Sequence, residues 1–225
     1  MCCCELLFRL RFQRSTVMGN ANSTIFQTND CHDIATRRQN NRASFEAGVH
    51  DLRIELKPGS AAAPLPLRLD AKHARPRIVV RKRPMFENER EHDFDVLSSQ
   101  GGADVWGDGH ASAMWVTRGM LCADAKTMYC ENHSFYADAV FDEGAGTAEV
   151  YEAAVRPLVD DTFGANRGSN TVLCFGQTGS GKTYTLSGII EALRRDMPQA
   201  AGGWPYVGNT NIHLTNGASW ASISK

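Results

Sequence analysis

The feature that most restricts this chain is a glycine-rich run in its last quarter. Residues 174–186 read CFGQTGSGKTYTL, and residues 176–183 fit the pattern G-x-x-x-x-G-K-[ST] in full. Such a run demands a particular local fold. Its glycines reach backbone angles closed to other residues, so successive N–H groups turn inward on a phosphate. It must stand between a buried strand and a helix whose positive end faces the same anion. Both flanks are present. TVLCF is a short apolar run of the kind buried on both faces of a sheet, and TYTLSGIIEALRR has helical composition. A dinucleotide loop of the G-x-G-x-x-G type is excluded by the spacing and by Lys182. On this pattern Gly176, Gln177, Thr178, Gly179, Ser180 and Gly181 form the cradle, Lys182 reaches the terminal phosphates, and the Thr183 hydroxyl ligates Mg2+.

The rest of the chain is read around that loop. RIVVRKRP, residues 77–84, predicts a buried strand with a charged exit on which Arg77 and Lys82 are surface charges. Residues 87–112 are acidic and glycine-rich and read as loop, with residues 87–95 a solvated acidic face, as are Asp160 and Asp161. MWVTRG and KTMYC suggest a small hairpin, and HSFYADAVF a strand. A helix is expected over residues 149–163, kinked by Pro157 at a cost of up to ~3 kcal/mol. A second follows the loop to residue 196, where Gly188 weakens it by about 1 kcal/mol relative to Ala. Residues 1–75 read as a low-order extension. QTNDCHDIATRRQNNRAS holds no period, VHDLRIELKPG alternates like a short strand, and KPGSAAAPLPLRLDAKHARP, with four prolines, is linker-like. Residues 197–225, rich in Gly, Ala, Ser and Asn, read as an irregular tail.

Composition excludes some functions. The formal net charge is −1, so no global basic field points to nucleic acid. No stretch approaches the ~20 apolar residues of a membrane span. The seven cysteines are odd in number and lack zinc-ligand spacing, which points to a reducing compartment. Adjacent Cys2, Cys3 and Cys4 permit palmitoylation, and MGNANS fits myristoylation only if translation starts at Met18; against both stands a chance N-terminal sequence. No heptad run predicts a coiled coil, and nothing specifies an oligomeric state.

The run CFGQTGSGKTYTLSG closely resembles the phosphate loop of kinesin motor domains. RKRP resembles the family's R-x-R-P motif at the end of its first strand, and FYADAVFDE resembles its second strand. VYEAAVRPLVDDTFGANRGSNTVLCFGQTGSGKT keeps the family's order of helix, turn, strand and loop. RKRP and RPLV are most similar to the kinesin-13 group. The resemblance covers residues 77–196 and implies an α/β P-loop NTPase fold, in part a three-layer sandwich. It also implies ATP with Mg2+ as cofactors, microtubules as partner and a cytoplasmic, cytoskeletal location. It implies that Arg83 and Pro84 flank the adenine while Tyr184 stacks on it.

Two departures from the family follow. The loop usually inserted after the phosphate-loop helix is absent or very short, so that helix is expected to be continuous. The family motifs N-x-x-S-S-R-S-H and D-L-A-G-S-E do not occur in these 225 residues. Phosphoryl transfer needs groups that orient water and sense the γ-phosphate. These residues alone are therefore expected to bind ATP without hydrolysing it, with no catalytic residue among them, to leave a sheet edge open, and to be marginally stable. A clipped motor is one reading. A non-catalytic nucleotide-binding or interaction fragment is the alternative, and a different phosphate-loop ATPase a third.

Overall fold

The computed structural model describes residues 25–27, 33–56, 77–101, 112–163, 170–196, 211–215 and 220–224. The chain forms two compact units. Among the described residues, those up to Glu143 make the first and those from Gly144 the second. The Pro-rich linker, the N-terminal cysteines and MGNANS lie outside the described residues.

The first unit is built on an antiparallel sheet in the order β1-β5-β4-β3, where β1 is Ile25–Gln27, β3 Leu97–Gly101, β4 Ser112–Leu121 and β5 Thr127–Ala137. The expected small hairpin is thus a long one. Its turn is fixed by Asp124, whose carboxylate accepts from the Lys126 and Thr127 amides at 2.9 Å each, while Ala125 takes the left-handed angle φ 54°. β2 (Val79–Arg81) pairs in parallel with β6 (Ala139–Phe141), so Val80 lies opposite Val140. Within the stretch expected to be loop stand β3 and a short helix, α3 (Glu87–His92).

Two helices occupy part of the presumed low-order extension. These are α1 (Ile34–Asn40) and α2 (Arg42–Glu55). Asp33 caps α1 by accepting from the Thr36 amide at 2.8 Å. The reading of residues 49–59 as a strand is corrected here: residues 49–55 belong to α2. Two periods compete in this stretch. Alternation places Leu52, Ile54 and Leu56 together, whereas helical spacing joins Phe45, Val49 and Leu52. The helix buries Phe45, Val49 and Leu52 and leaves Ile54 60% exposed. Phe45 and Val49 share a core with Met128 and Cys130 of β5, flanked by Phe94, Val96 and Leu121. Phe45 meets Phe94 edge-on, with centroids 5.0 Å apart. At the other end, the buried Arg37 donates to the Ala125 carbonyl at the hairpin turn, and the Arg38 stem passes so close to Gly119 that a Cβ there would sit 2.8 Å from its Cδ. Order in this region comes from packing against β4 and β5, not from a local pattern.

The second unit opens with a helix in three parts: α4 (Thr147–Val150), a π-helical turn over Tyr151–Val155, and α5 (Arg156–Phe163). The wide turn lies just before Pro157. A proline lacks an N–H and crowds the carbonyl four residues back, and the i→i+5 turn relieves both problems where a kink was expected. Next come β7 (Asn170–Leu173), α6 (Lys182–Asp196), β8 (Asn211–Thr215) and β9 (Trp220–Ser224). β8 runs parallel to β7 and antiparallel to β9. The reading of the tail as irregular is therefore corrected over 211–215 and 220–224. NIHLT alternates with period two, and NG at 216–217 is a hairpin signal. Pairing with β7 supplies partners to backbone groups that a tail in water would leave to solvent.

Candidate phosphate-binding site

β7 is anchored at its first residue. Asn170 Nδ2 donates to the Leu158 carbonyl at 3.2 Å, Asp161 Oδ2 at 3.0 Å and Thr162 Oγ1 at 2.8 Å. The fully buried Thr162 in turn donates to the Leu158 carbonyl at 2.7 Å. Asp161 is thus engaged and is not the solvated charge expected, although Asp160 is exposed. Burial of TVLCF on both faces does not hold within this unit: Thr171, Leu173 and Phe175 are all exposed. A strand is buried on both faces only when both are covered; among the described residues of this unit, α5 packs on β7.

From β7 the chain enters the glycine loop, and three of its glycines have positive φ: 152° at Gly176, 83° at Gly179 and 92° at Gly181. Gly176 is required twice over. A Cβ there would lie 2.3 Å from Ser180 Oγ, so the loop folds back on itself at that point. Ser180 bonds through its amide to the Gln177 carbonyl at 3.1 Å, but its hydroxyl is closed off from solvent and lacks a hydrogen-bond partner in the structure. Lys182 Nζ donates to the Gly176 carbonyl at 2.6 Å and the Gln177 carbonyl at 2.7 Å. The lysine thereby closes the loop around its own ammonium. α6 begins at this residue, and its first intrahelical bond here runs from the Thr185 amide to the Gly181 carbonyl at 2.9 Å. Thr183 is exposed on the first turn, and Tyr184 is 71% exposed.

α6 is continuous over its 15 residues, as expected, and buries Leu186, Ile189, Ala192 and Leu193. Gly188 has a role that propensity alone misses. A Cβ there would lie 2.5 Å from Thr147 Cγ2 and 3.0 Å from Thr147 Cβ, so this glycine lets α6 approach the first residue of α4 closely. The far end of α6 is pinned as well. Arg156 Nη1 bonds Asp196 Oδ2 at 3.3 Å and both oxygens of Glu152 at 3.1 Å. Burial, together with the nearby Asp196 carboxylate, pushes the Tyr151 hydroxyl far above its ordinary range. These contacts fix the helix that presents Lys182 and Thr183.

The residues of the loop fit a bound phosphate. The three glycine angles turn the loop on itself, Ser180 offers a buried hydroxyl with no internal partner, and Lys182 provides the one cation held within the loop.

Arg83 and Pro84 belong to the first unit and are described within it. Arg83 is clamped by Glu89: its Nη1 donates to Oε2 at 2.7 Å and its Nη2 to Oε1. Its guanidinium also lies 4.6 Å from the centroid of the Phe86 ring. The hydrogen bonds from Arg83 and from the Phe86 amide hold the Glu89 carboxyl down to about 2. Lys82 is a correction. It is only 7% exposed, and its Nζ pairs with Asp95 Oδ2 at 2.9 Å and with Glu143 Oε2. Burial opposes the charge on Asp95, but the bonds and charges of Lys82 and Arg53 prevail and hold its carboxyl below the usual range. Residues 87–95 are thus not simply a solvated face. Glu89 and Asp95 each neutralise a cation of RKRP. They lie six residues from Arg83 and thirteen from Lys82 along the chain, across a change of secondary-structure element, so no local repeat marked these pairs.

The kinesin motor domain family model matches residues 81–202. Diatom spindle kinesin-1 from Cylindrotheca fusiformis is 38% identical over 121 residues, covering 53% of this chain and 18% of that protein. Kinesin-like protein KIN-13B from Arabidopsis thaliana is 39% identical over 125 residues, covering 55% of this chain and 16% of the relative. The chain thus spans less than a fifth of the length of both relatives. Among solved structures, the motor domain of the Kar3-like kinesin from Ashbya gossypii is 23% identical with a TM-score of 0.35, covering 53% of this chain and 37% of that one.

Proposed function

This chain belongs to the kinesin motor domain family, and we propose that it carries the ATP-phosphate cradle of a kinesin-like microtubule motor. The observation that carries the reading is the loop itself, in which three positive-φ glycines and the Lys182 ammonium make a seat for phosphate at the start of a firmly held helix. Lys182 leaves the Gly176 and Gln177 carbonyls to meet the terminal phosphates, and the Thr183 hydroxyl supplies one ligand to Mg2+. The metal neutralises phosphate charge when bound. The backbone N–H groups of the loop and of the first turn of α6 face the same anion. Gln177, Thr178, Gly179, Ser180 and Gly181 shape this cradle, and the exposed Tyr184 ring on the first turn of α6 offers a face to the adenine. The parent motor works on microtubules in the cytoplasm. RKRP, RPLV and the similarity to KIN-13B support a place near the kinesin-13 group.

The test is equilibrium binding of labelled ATP with Mg2+ to the full 225-residue chain and to Lys182→Ala. Removing the ammonium takes away the charge that faces the terminal phosphates, and a charge-assisted bond contributes roughly 1.5–3 kcal/mol. Affinity is expected to fall at least tenfold. Unchanged binding by the variant refutes the cradle.

A further inference from the structure

We infer that the hairpin of β8 and β9, which lies beyond the segment matched by the family, is a working part of the phosphate site: β8 holds β7, the strand that leads into Gly176, and so sets the affinity of the loop for phosphate. The inference rests on the reading of residues 176–183 as a phosphate cradle. Every element it uses belongs to the second unit.

A phosphate loop binds well only if both of its ends are fixed. Its donors must converge on one anion before the anion arrives, since ordering them at the moment of binding costs affinity. The downstream end is α6, held at Gly188 by its close approach to Thr147 and at Asp196 by Arg156. The upstream end is β7, a strand of four residues that stops at Leu173, shortly before Gly176. Asn170 ties the far end of this strand to the Leu158 carbonyl and Thr162 of α5. The end nearest the loop lacks such a tie. The Thr171, Leu173 and Phe175 side chains are exposed and add little packing there.

Backbone pairing holds that end instead. β8 runs parallel to β7 in the register Asn170↔Ile212, Thr171↔His213, Val172↔Leu214 and Leu173↔Thr215, so the ladder reaches the last residue of β7. Among the described residues, β8 is the only strand that pairs with β7. Parallel strands need a crossover, which is usually helical, and α6 stands in the crossover between these two. The loop is therefore enclosed in one β-α-β unit whose second strand comes from the tail. β9 pairs with the other edge of β8 and makes β8 the central strand of three. Two strands alone are marginal in water; a third strand or a helix against them gives stability. β9 supplies the third strand, and α5 packs on both β7 and β8. The hairpin touches no ligand in this scheme; it positions the strand that leads into the loop.

Successive N–H groups of a strand point to opposite edges, so of His213 and Leu214 one faces β7 and the other β9. Proline at either position removes the N–H, whereas alanine keeps it. Binding of inorganic tripolyphosphate with Mg2+ to the full chain is measured for wild type, His213→Pro, Leu214→Pro, His213→Ala and Leu214→Ala, each below its melting transition. The proline variants are expected to bind about tenfold more weakly while still folded, because a proline inside a central strand breaks its ladder. The alanine variants should stay close to wild type. Folded proline variants that bind as tightly as wild type, or alanine variants that lose as much as the prolines, overturn the inference. If the proline variants fail to fold, hydrogen exchange of wild type decides. Coupling between a ligand and the element that supports its site is reciprocal, so tripolyphosphate should slow exchange at residues 211–215 as well as at 176–183. Slowing at the loop alone overturns the positioning role. Failure of wild type to bind tripolyphosphate instead refutes the phosphate cradle, and the inference falls with it.

Discussion

Gly188→Ala sets two magnitudes against each other. Seen as a helix position alone, the change should help. Alanine is favoured over glycine in a helix interior by about 1 kcal/mol, because glycine has more backbone freedom to lose. The tertiary contact opposes this. The new Cβ would stand 2.5 Å from Thr147 Cγ2 and 3.0 Å from Thr147 Cβ. Thr147 is β-branched and stiff at χ1, so the clash is relieved by moving a helix as much as by turning a side chain. Overpacking of this kind costs about 1–3 kcal/mol. The contact wins, and a net loss of about 1 kcal/mol is expected, or about 2–4 °C in melting temperature for a chain of this size. Thermal unfolding of wild type, Gly188→Ala, Thr147→Ala and the double variant checks it. With Thr147 shortened to alanine, the 2.5 Å clash with Cγ2 is gone and only the 3.0 Å contact with Cβ remains, so Gly188→Ala should be markedly less destabilising. The two substitutions are in contact and should be non-additive by about 2 kcal/mol. Stabilisation by Gly188→Ala in the otherwise native chain would refute the close approach of α6 to α4.

Two further outcomes are expected. Phe45→Ala removes a fully buried ring from the core shared by α2 and β5, at a cost of about 3–5 kcal/mol; hydrogen exchange in β4 and β5 should accelerate strongly, and unchanged exchange would mean that α2 does not support the sheet. The Glu89 carboxyl is held at about 2 against an ordinary 4.5, chiefly by Arg83. A depressed carboxyl stabilises the fold above its unfolded value and loses that contribution as pH falls through its folded value. Stability should therefore drop between about pH 4.5 and pH 2 more steeply in wild type than in Glu89→Gln, and matching acid-unfolding curves would refute the clamp.

Much of the phosphate loop was legible in the sequence. Gly176, Gly179 and Gly181 adopt the left-handed angles that only their missing side chains make easy, and the strand before and helix after them follow from local pattern. The membership in a motor family rests on the same short-range words, since a loop that wraps a phosphate must be contiguous in sequence. Less could be read where distant residues set the outcome. The π turn before Pro157 was foreseen only as a kink. The strand-like alternation in α2 lost to a helical stripe once β4 and β5 offered that stripe a surface to cover.

Sequence alone determined that residues 176–183 would bend between a strand and a helix and present one lysine, because those properties belong to backbone freedom and residue type at adjacent positions. Tertiary structure alone decided that α2 would be ordered, that Lys82 would be buried between Asp95 and Glu143, and that Gly188 would serve a helix contact. Each of those depends on groups far apart in the chain, and the balance between desolvation and pairing is set only when folding brings the partners together.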